Sequence, residues 1–538
     1  MVDPLPAVGL PSYEWIELKN NSPHPVNLQG WRIQDASGQS GPMPSFTLEP
    51  DSFVIICGTS ALPAMQQFGT AISVGSFPSL SNDGELLSLK AAGGQIIHAV
   101  EYASSWYGND LKKEGGWSLE MIDAGNPCGG SNNWTASTDD LGGTPGRRNA
   151  VTALNADTKP PLLQNSWCTD SIHILLEFDE PVDSSEASLL TNYSIDGGLA
   201  ISSAELLEPL LNKVMLTLSA PMAPHRIYSI SMHVQKDCSG NLASALVTRT
   251  GIPGDPEKGD WVINEILFNP RPSGYDYVEF LNNSPKILDA SRLYVANRNS
   301  SGDIASIRVL STRPFLIFPG DHVVVTEDAA NLALQYLVSH PSLVIEIDGL
   351  PSFPDTEGRI VALNLQGTVV DELAYYDDWH FKLLANEEGV ALERIRPESP
   401  TLDKGNWHSA AATAGYGTPT ARNSQWHQSL PETASITVSP KTISPDNDGR
   451  DDFLRIQYSM EEQGYVANIV IFDAGGRPVR QLVRNDLLGR SGYWQWDGLD
   501  DRYAHLPLGI YIIYTEIFNL QGKKKIFKNP IVVARPLK

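Results

Sequence analysis

The densest set of oxygen ligands in this sequence is Asp446-Asn447-Asp448-Gly449-Arg450-Asp451-Asp452. Five of its side chains (Asp446, Asn447, Asp448, Asp451 and Asp452) offer carboxylate or amide oxygens, and the glycine permits a sharp turn. A hard cation needs that chemistry, and Ca2+ is the candidate cofactor. The spacing is not that of an EF-hand, because the glycine stands fourth and no glutamate follows at the twelfth place. A turn held by Asx hydrogen bonds accounts for the same residues without a metal. Both readings stay open at this stage.

Other reactive side chains are sparse. Glu17 and Glu279 occupy equivalent places in two similar strands, Trp15-Ile-Glu-Leu and Tyr277-Val-Glu-Phe. They read as a shared metal or catalytic carboxylate, as an alternating solvent-facing strand residue, or as one bonding to the loop Asn20-Asn21 or Asn282-Asn283. Trp134 and Trp407 read either as flat platforms for a sugar ring or as core plugs anchoring a closing loop. His24, His98, His380, His408 and His427 show no two-ligand helical spacing. HExxH, GxSxG, GxGxxG and Walker-type signatures do not occur. Cys57 follows the apolar run Phe53-Val-Ile-Ile, which marks it as core and not as a nucleophile. We therefore expect no enzyme.

Cys57, Cys128, Cys168 and Cys238 show no CxxC spacing. Pairing within each domain, Cys57–Cys128 and Cys168–Cys238, fits an oxidising compartment. Four cysteines permit three connectivities, and four buried thiols are the alternative.

These residues sit on a sequence that contains one domain twice. Residues 14–27 read EWIELKNNSPHPVN and residues 276–289 read DYVEFLNNSPKILD. Trp106 falls on Trp379, Leu119-Glu120 on Leu392-Glu393, Asn133-Trp134 on Asn406-Trp407, Gly143-Thr-Pro on Gly417-Thr-Pro, and Arg148-Asn149 on Arg422-Asn423. The offset grows only from 262 to 274, so insertions between the copies are short and belong in loops. Short alternating strands separated by Gly, Pro, Asn and Asp clusters predict sandwiches. The best helix candidate is short, residues 329–338. We expect four units: 1–150, 157–253, 259–424 and 433–538. The second copy opens with Trp261-Val-Ile-Asn-Glu-Ile-Leu-Phe-Asn-Pro, and its Leu267-Phe-Asn-Pro aligns with Met1-Val-Asp-Pro4. Copy one thus starts six residues into its first strand. Either Met1 was once internal, with the true start and a signal peptide upstream, or the first strand is degenerate.

The chain has 538 residues and a formal net charge of −24, which opposes binding to nucleic acid phosphates and anionic lipid. No apolar run reaches the length of a membrane-spanning helix, about 18 residues or more. Met1-Val-Asp-Pro-Leu-Pro has neither the basic start nor the apolar stretch of a secretory signal. The carboxyl end reverses the charge: Lys523, Lys524, Lys525, Lys528, Arg535 and Lys538 follow the last acid, Glu516. They belong to an expected hairpin, 509–518 turning at 519–522 into 526–535. The lysines read either as a docking surface for an acidic partner or as an edge strand protected from aggregation.

The Asn-Glu-Ile, Tyr-Val-Glu-Phe-x-Asn-Asn, Trp-Arg-Ile and Asn-Trp…Gly-Thr-Pro-Gly pattern resembles the lamin tail domain family. That resemblance implies an immunoglobulin-like β-sandwich, found in bacteria as secreted, repeated modules without catalytic residues. Leu176-Glu-Phe-Asp-Glu-Pro-Val, Asn192-Tyr-Ser-Ile and Lys236-Asp-Cys-Ser-Gly-Asn-Leu resemble the surface-layer (SbsA) type of immunoglobulin-like domain. Ser444-Pro-Asp-Asn-Asp-Gly-Arg-Asp-Asp-Phe, Val470-Ile-Phe-Asp-Ala-Gly-Gly-Arg-Pro-Val, Trp496-Asp-Gly and Pro507-Leu-Gly-Ile-Tyr are similar to the FlgD-like fold that ends exported proteins of Bacteroidetes. There such domains serve type IX secretion; Asp446-Asn-Asp-Gly stands here where the sorting form reads Asn-Gly-Asp-Gly. The expectation is an all-β chain of tandem immunoglobulin-like sandwiches, exported to the cell surface or outer membrane. It would bind a protein or glycan ligand, and its carboxyl-terminal domain would engage outer-membrane export machinery. The alternatives are an accessory subunit of an outer-membrane secretion or motility complex, and a carbohydrate-binding accessory of an exported hydrolase.

Overall fold

The computed structural model describes residues 1–426 and 433–534; His427, Arg535 and Lys538 lie outside the described residues. Strands dominate throughout, and the fold is all-β with immunoglobulin-like sandwiches. The chain divides into two compact units, Met1–Ala223 with Ile227–Gly251, and Pro224–Arg226 with the residues from Ile252 onward.

In the first unit, β1 (Trp15–Lys19), β2 (Phe53–Gly58) and β3 (Ala71–Val74) form one three-stranded sheet in that order. β4 (Leu119–Met121) and β5 (Trp134–Ala136) form a separate pair. β2 is central, and its unbroken Val-Ile-Ile-Cys run is buried on both faces. Residues 163–250 add a four-stranded sheet ordered Leu163–Cys168, His173–Phe178, Lys213–Leu218, Ile201–Leu207. A three-stranded sheet ordered Tyr193–Ile195, Tyr228–Lys236, Leu242–Thr250 completes that region.

The second unit repeats the first arrangement with one strand more. β6 (Trp261–Leu267), β7 (Tyr277–Asn282), β8 (His322–Thr326), β9 (Val344–Glu346), β10 (Leu392–Arg394) and β11 (Trp407–Ser409) form one six-stranded sheet. Its order is β9-β8-β7-β6-β10-β11. Trp261, Ile263, Phe280 and Val325 face Val295, Ile360 and Leu373 of an opposed four-stranded sheet across one core. The outer face is covered too: Leu332 and Tyr336 pack on Tyr277, Val324 and Ala410. Leu332 belongs to a helix, Ala329–Gln335, whose cap is the Asp328 carboxylate accepting the Asn331 N–H at 2.8 Å. The helix stops earlier than the sequence predicts because Tyr336 turns extended and its hydroxyl bonds the Gly389 carbonyl.

β7 is the structural counterpart of β1, β8 of β2, β9 of β3, β10 of β4 and β11 of β5. Among the described residues no strand lies between β1 and β4, and the two belong to separate sheets. Further on, the expected hairpin forms from β12 (Gly509–Asn519) and β13 (Lys524–Val533) within a five-stranded sheet.

Candidate functional site

The repeated residues converge on the turn that closes each copy. Glu279 Oε2 accepts the Thr420 N–H at 2.6 Å, and in copy one Glu17 Oε1 accepts the equivalent Gly146 N–H at 2.5 Å. Glu393 accepts the Thr418 hydroxyl at 3.0 Å, the Ser424 hydroxyl at 2.8 Å and the Gln425 N–H at 2.8 Å. Glu120 likewise accepts the Thr144 hydroxyl at 2.6 Å and the Ala150 N–H at 2.9 Å. Asn149 and Asn423 each donate to a strand carbonyl, Met121 and Arg394, both at 2.9 Å. The Gly-Thr-Pro turn is therefore clamped to the sheet by carboxylates that reach out of neighbouring strands.

In copy two the clamp contains a third carboxylate. Glu265 of β6 lies in register between Glu279 and Glu393, so three glutamates form a lateral row. Glu265 accepts the Thr418 N–H at 2.9 Å and the hydroxyls of Tyr277 and Thr418. Asn264 donates to Glu279 at 2.7 Å. Burial and the charge of Glu265 push Glu393 up to about 8. Burial also raises Glu265, and burial with the charge of Glu265 raises Glu279 well above the usual carboxylate range. In copy one, burial opposed by the Gly146 amide pushes Glu17 up to about 7. The row titrates as a set that shares protons.

This corrects the sequence reading of Glu17 and Glu279. Glu279 is fully buried, so it is not a solvent-facing residue. The loop asparagines are engaged elsewhere, Asn20 with the Leu48 carbonyl and Asn282 with the Ile317 carbonyl. Glu265, Glu279 and Glu393 are fully buried and accept from Thr418, Thr420, Ser424 and Gln425 of the closing loop. The chemistry of this row is to satisfy a closing loop's backbone. Glu120, Glu265, Glu393, Thr144 and Thr418 were missed as clamp residues. For all but Glu265 the signal was present in the repeat itself, which matches Leu-Glu, Gly-Thr-Pro and Arg-Asn at one offset.

Trp407 is a core plug, with its indole N–H donating to the Thr401 carbonyl at 2.8 Å. Trp134 is only half-buried and lines a cleft of about 500 Å³ together with Ile16, Leu18, Leu119 and Met121. Cys57 is buried beside Trp15, Ile55 and Met65, and burial pushes its thiol up.

Carboxylates gather in two further places. Ligand oxygens of Asp446, Asp448 and Asp452 lie within 4.8 Å of one another. Asp452 also accepts the Asn447 N–H at 2.6 Å and the Gly449 N–H at 2.8 Å, and Asp448 accepts the Arg450 N–H at 2.8 Å. Asn447 and Asp451 shape the turn with positive φ of 66° and 54°. Asp451 lies outside the trio, and its carbonyl accepts the Ser444 N–H. A second trio, Asp157, Glu180 and Asp237, also lies within 4.8 Å. Asn241 donates to Asp237 at 2.7 Å and to Asp157 at 3.2 Å. Burial, then the charges of Asp157 and Asp237, push Glu180 up to about 8. Its members come from three separate segments, and no local spacing announces them. Either trio offers hard oxygen donors of the kind a divalent cation takes.

The disulfide departs from the within-domain expectation. Cys128 bonds Cys238, with Cα atoms 6.4 Å apart, while Cys57 and Cys168 are thiols. Cys57 points into the core of its strand layer, and the Cys168 thiol faces the Gly251 carbonyl at 3.1 Å. Cys128 and Cys238 sit instead on turns between strands, which approach each other across the expected boundary at residues 150–157.

The carboxyl-terminal lysines have local partners. Lys523 pairs with Glu462 at 2.7 Å, Lys524 with Glu516 at 2.7 Å and Lys525 with Glu461 at 2.6 Å. Lys528 stands 6.0 Å from the Tyr514 ring centre. β13 pairs along its length with β12, but on its other side, among the described residues, only Val532 and Val533 meet a strand. These lysines therefore line a sheet edge, which is where a charged side chain discourages further pairing.

Among the described residues no helix is long and apolar enough to cross a membrane. No curated protein matches the sequence. Among solved structures, the N-terminal part of the bacterial S-layer protein SbsC aligns at 13% identity over 40% of this chain and 44% of that one, with a TM-score of 0.17. A DUF4876 family protein from Bacteroides thetaiotaomicron aligns at 12% identity over 40% and 88%, with a TM-score of 0.19. A tetra-tandem repeat of a large adhesion protein aligns at 10% identity over 97% and 96%, with a TM-score of 0.13. The alignment spans less than two thirds of the SbsC chain, and at these scores none of the three bears on the argument. At the level of sequence families, residues 2–104 match the Lamin Tail Domain.

Proposed function

We propose that the protein is a non-catalytic, exported cell-surface protein that acts as a binding scaffold. The observation that carries this reading is the use of the repeated carboxylates. In both copies the residues that resemble a catalytic set are consumed in clamping the closing turn. What the sandwiches leave for partners is loops and strand edges, the surfaces from which such modules bind. The reading extends to a protein or glycan ligand at the cell surface, and to contact of the carboxyl-terminal domain with outer-membrane export machinery. It also extends to Ca2+ at Asp446, Asp448 and Asp452. A net charge of −24 supports the exclusion of nucleic acid.

An affinity pull-down from native cell envelopes tests it. A surface ligand recovered without a stoichiometric membrane complex is the expected result. Stoichiometric recovery of an outer-membrane assembly would replace the scaffold with an accessory subunit, and turnover in glycan or peptide hydrolysis screens would end the non-catalytic reading.

A further inference from the structure

The second unit holds a buried arginine whose charge is uncompensated. Arg490 is 6% exposed, and among the described residues none of its three side-chain nitrogens has a hydrogen-bond partner. A guanidinium carries five N–H donors and a permanent charge, and buried charges are ordinarily paired because an unpaired one is costly. Arg394 of the same unit shows the ordinary arrangement. It is 3% exposed, and its guanidinium donates to the Asp371 carboxylate at 3.2 Å and to the Ile263 and Ser399 carbonyls at 3.0 and 2.6 Å. Burial lowers the Arg490 guanidinium from its usual range, opposed by the charges of Glu461 and Glu462. Both acids are engaged elsewhere: Glu461 accepts from Lys525 at 2.6 Å and Tyr465 at 3.0 Å, and Glu462 from Lys523 at 2.7 Å.

Arg490 stands on the wall of a cleft of about 630 Å³. One wall is the segment that follows β11, with Thr413 and Trp426. The other is Arg490 itself with Ser459, Ser491 and Tyr493, from strands Leu454–Ser459 and Ser491–Trp496. Hydrogen bonds tie the two walls together. The Arg490 N–H donates to the Ser424 carbonyl at 2.9 Å, Gln425 Nε2 donates to the Leu488 carbonyl at 3.3 Å, and the Thr413 and Tyr458 hydroxyls bond at 2.5 Å. These bonds hold the cleft in shape, and a preformed site costs less to fill.

The chemistry of the walls selects the ligand. The volume suits a small molecule. A planar guanidinium matches a carboxylate or a phosphate through two parallel hydrogen bonds. Arg422, the other cation of the cleft, lies over the Trp426 ring at 4.0 Å, so Arg490 is the charge that calls for a counter-ion. One such charge balances one negative charge, and a chain of net charge −24 repels polyanions at long range. Both conditions favour a carboxylate over a phosphate. The Ser459 and Ser491 hydroxyls add neutral donors and acceptors. Tyr493 is half-exposed, with the Arg455 guanidinium over its ring at 4.2 Å, and supplies an apolar body with a polar tip. A carboxylate on a ring rich in hydroxyls answers all of these groups.

We propose that this cleft binds an acidic sugar, a pyranose bearing one carboxylate, with the Arg490 guanidinium holding the carboxylate and the serine hydroxyls and Tyr493 receiving the ring. The ligand supplies the buried charge with the partner it lacks. This names a ligand class for the surface-binding reading and rests on that reading for a sugar being the natural ligand. Binding of the sugar by the isolated chain does not depend on where the protein resides, so the envelope pull-down and the titration below can fail separately.

The probe is glucuronate, titrated into the full chain and followed by ligand-observed NMR, with glucose and inorganic phosphate as comparison ligands. We expect saturable glucuronate binding in the millimolar range, at least tenfold tighter than glucose and tighter than phosphate. Arg490→Met keeps the length of the side chain and removes its charge. It should weaken glucuronate at least tenfold and raise the thermal midpoint of the second unit, because an unpaired buried charge has gone. An arginine with a purely structural role would lower that midpoint instead. Ser491→Glu, at an exposed position, puts a carboxylate into the cleft and should also lose the binding, which keeps the test decisive if Arg490→Met does not fold. Absence of saturable glucuronate binding, equal affinity for glucose, tighter binding of phosphate, or undiminished binding by either folded variant would overturn the proposal.

Discussion

Removing the Cys128–Cys238 bond, by Cys128→Ser with Cys238→Ser, should destabilise the first unit selectively. The bond spans a sequence separation of 110 residues. Chain entropy alone assigns such a loop about 4.8 kcal/mol at 25 °C, and residual structure in the unfolded chain brings the usual figure to about 2–4 kcal/mol. For a unit of this size each kcal/mol shifts the midpoint by roughly 2–4 °C. A loss of about 3 kcal/mol therefore lowers it by roughly 6–12 °C. Scanning calorimetry of the full chain should show this shift in one transition and leave the transition of the unit beginning at Ile252 in place. In the wild-type chain, denatured without reductant, thiol titration should find the Cys57 and Cys168 sulfhydryls and no others. Peptide mapping that joins Cys57 to Cys128, or titration of all four cysteines, would refute the reasoning.

Four further outcomes follow from the same residues. Glu393 is raised from 4.5 to about 8, so the folded state holds a proton that the unfolded state has lost between those pH values. The second unit should accordingly lose stability as pH rises from about 4.5 through about 8, by up to about 1.4 kcal/mol per pH unit for each shared proton. Glu265→Gln should flatten that dependence, and a second unit more stable at pH 9 than at pH 5 would contradict it. Glu393→Ala leaves the Gln425 N–H and the Ser424 hydroxyl without their acceptor, costing about 1–3 kcal/mol or more; limited proteolysis should then cut earlier within residues 410–426. Calcium titrated calorimetrically should bind the wild-type chain, and Asp448→Asn should remove the component that belongs to the 446–452 loop; an unchanged isotherm would take calcium away from that loop. Lys524→Ala with Lys525→Ala should raise light scattering on storage, because β13 would then present a less charged edge.

Much of the architecture was legible in the sequence. The repeat, the alternating strands and the carboxyl-terminal hairpin all follow from local pattern, because a strand's period and its turn residues are written in neighbouring positions. The clamp was not read, although most of its residues had been matched, because its meaning lies in contacts such as Glu17 to Gly146 across 129 positions. The disulfide was misassigned for a related reason. Domain logic keeps cysteines inside their own expected sandwich, whereas the turns carrying Cys128 and Cys238 meet within one compact unit. The Asp157, Glu180 and Asp237 trio has no sequence signature at all, since each member belongs to a different segment.

Hydrogen exchange resolved by peptide tests most directly whether β1 and β7 are counterpart strands with the neighbours described above. The amides of Tyr277–Asn282 are held between two neighbours and should be protected along the whole strand. In Trp15–Lys19 the amides bonded to β2 should be retained, while those on the side away from β2 should exchange in seconds. Equal, complete protection of both strands would contradict the account.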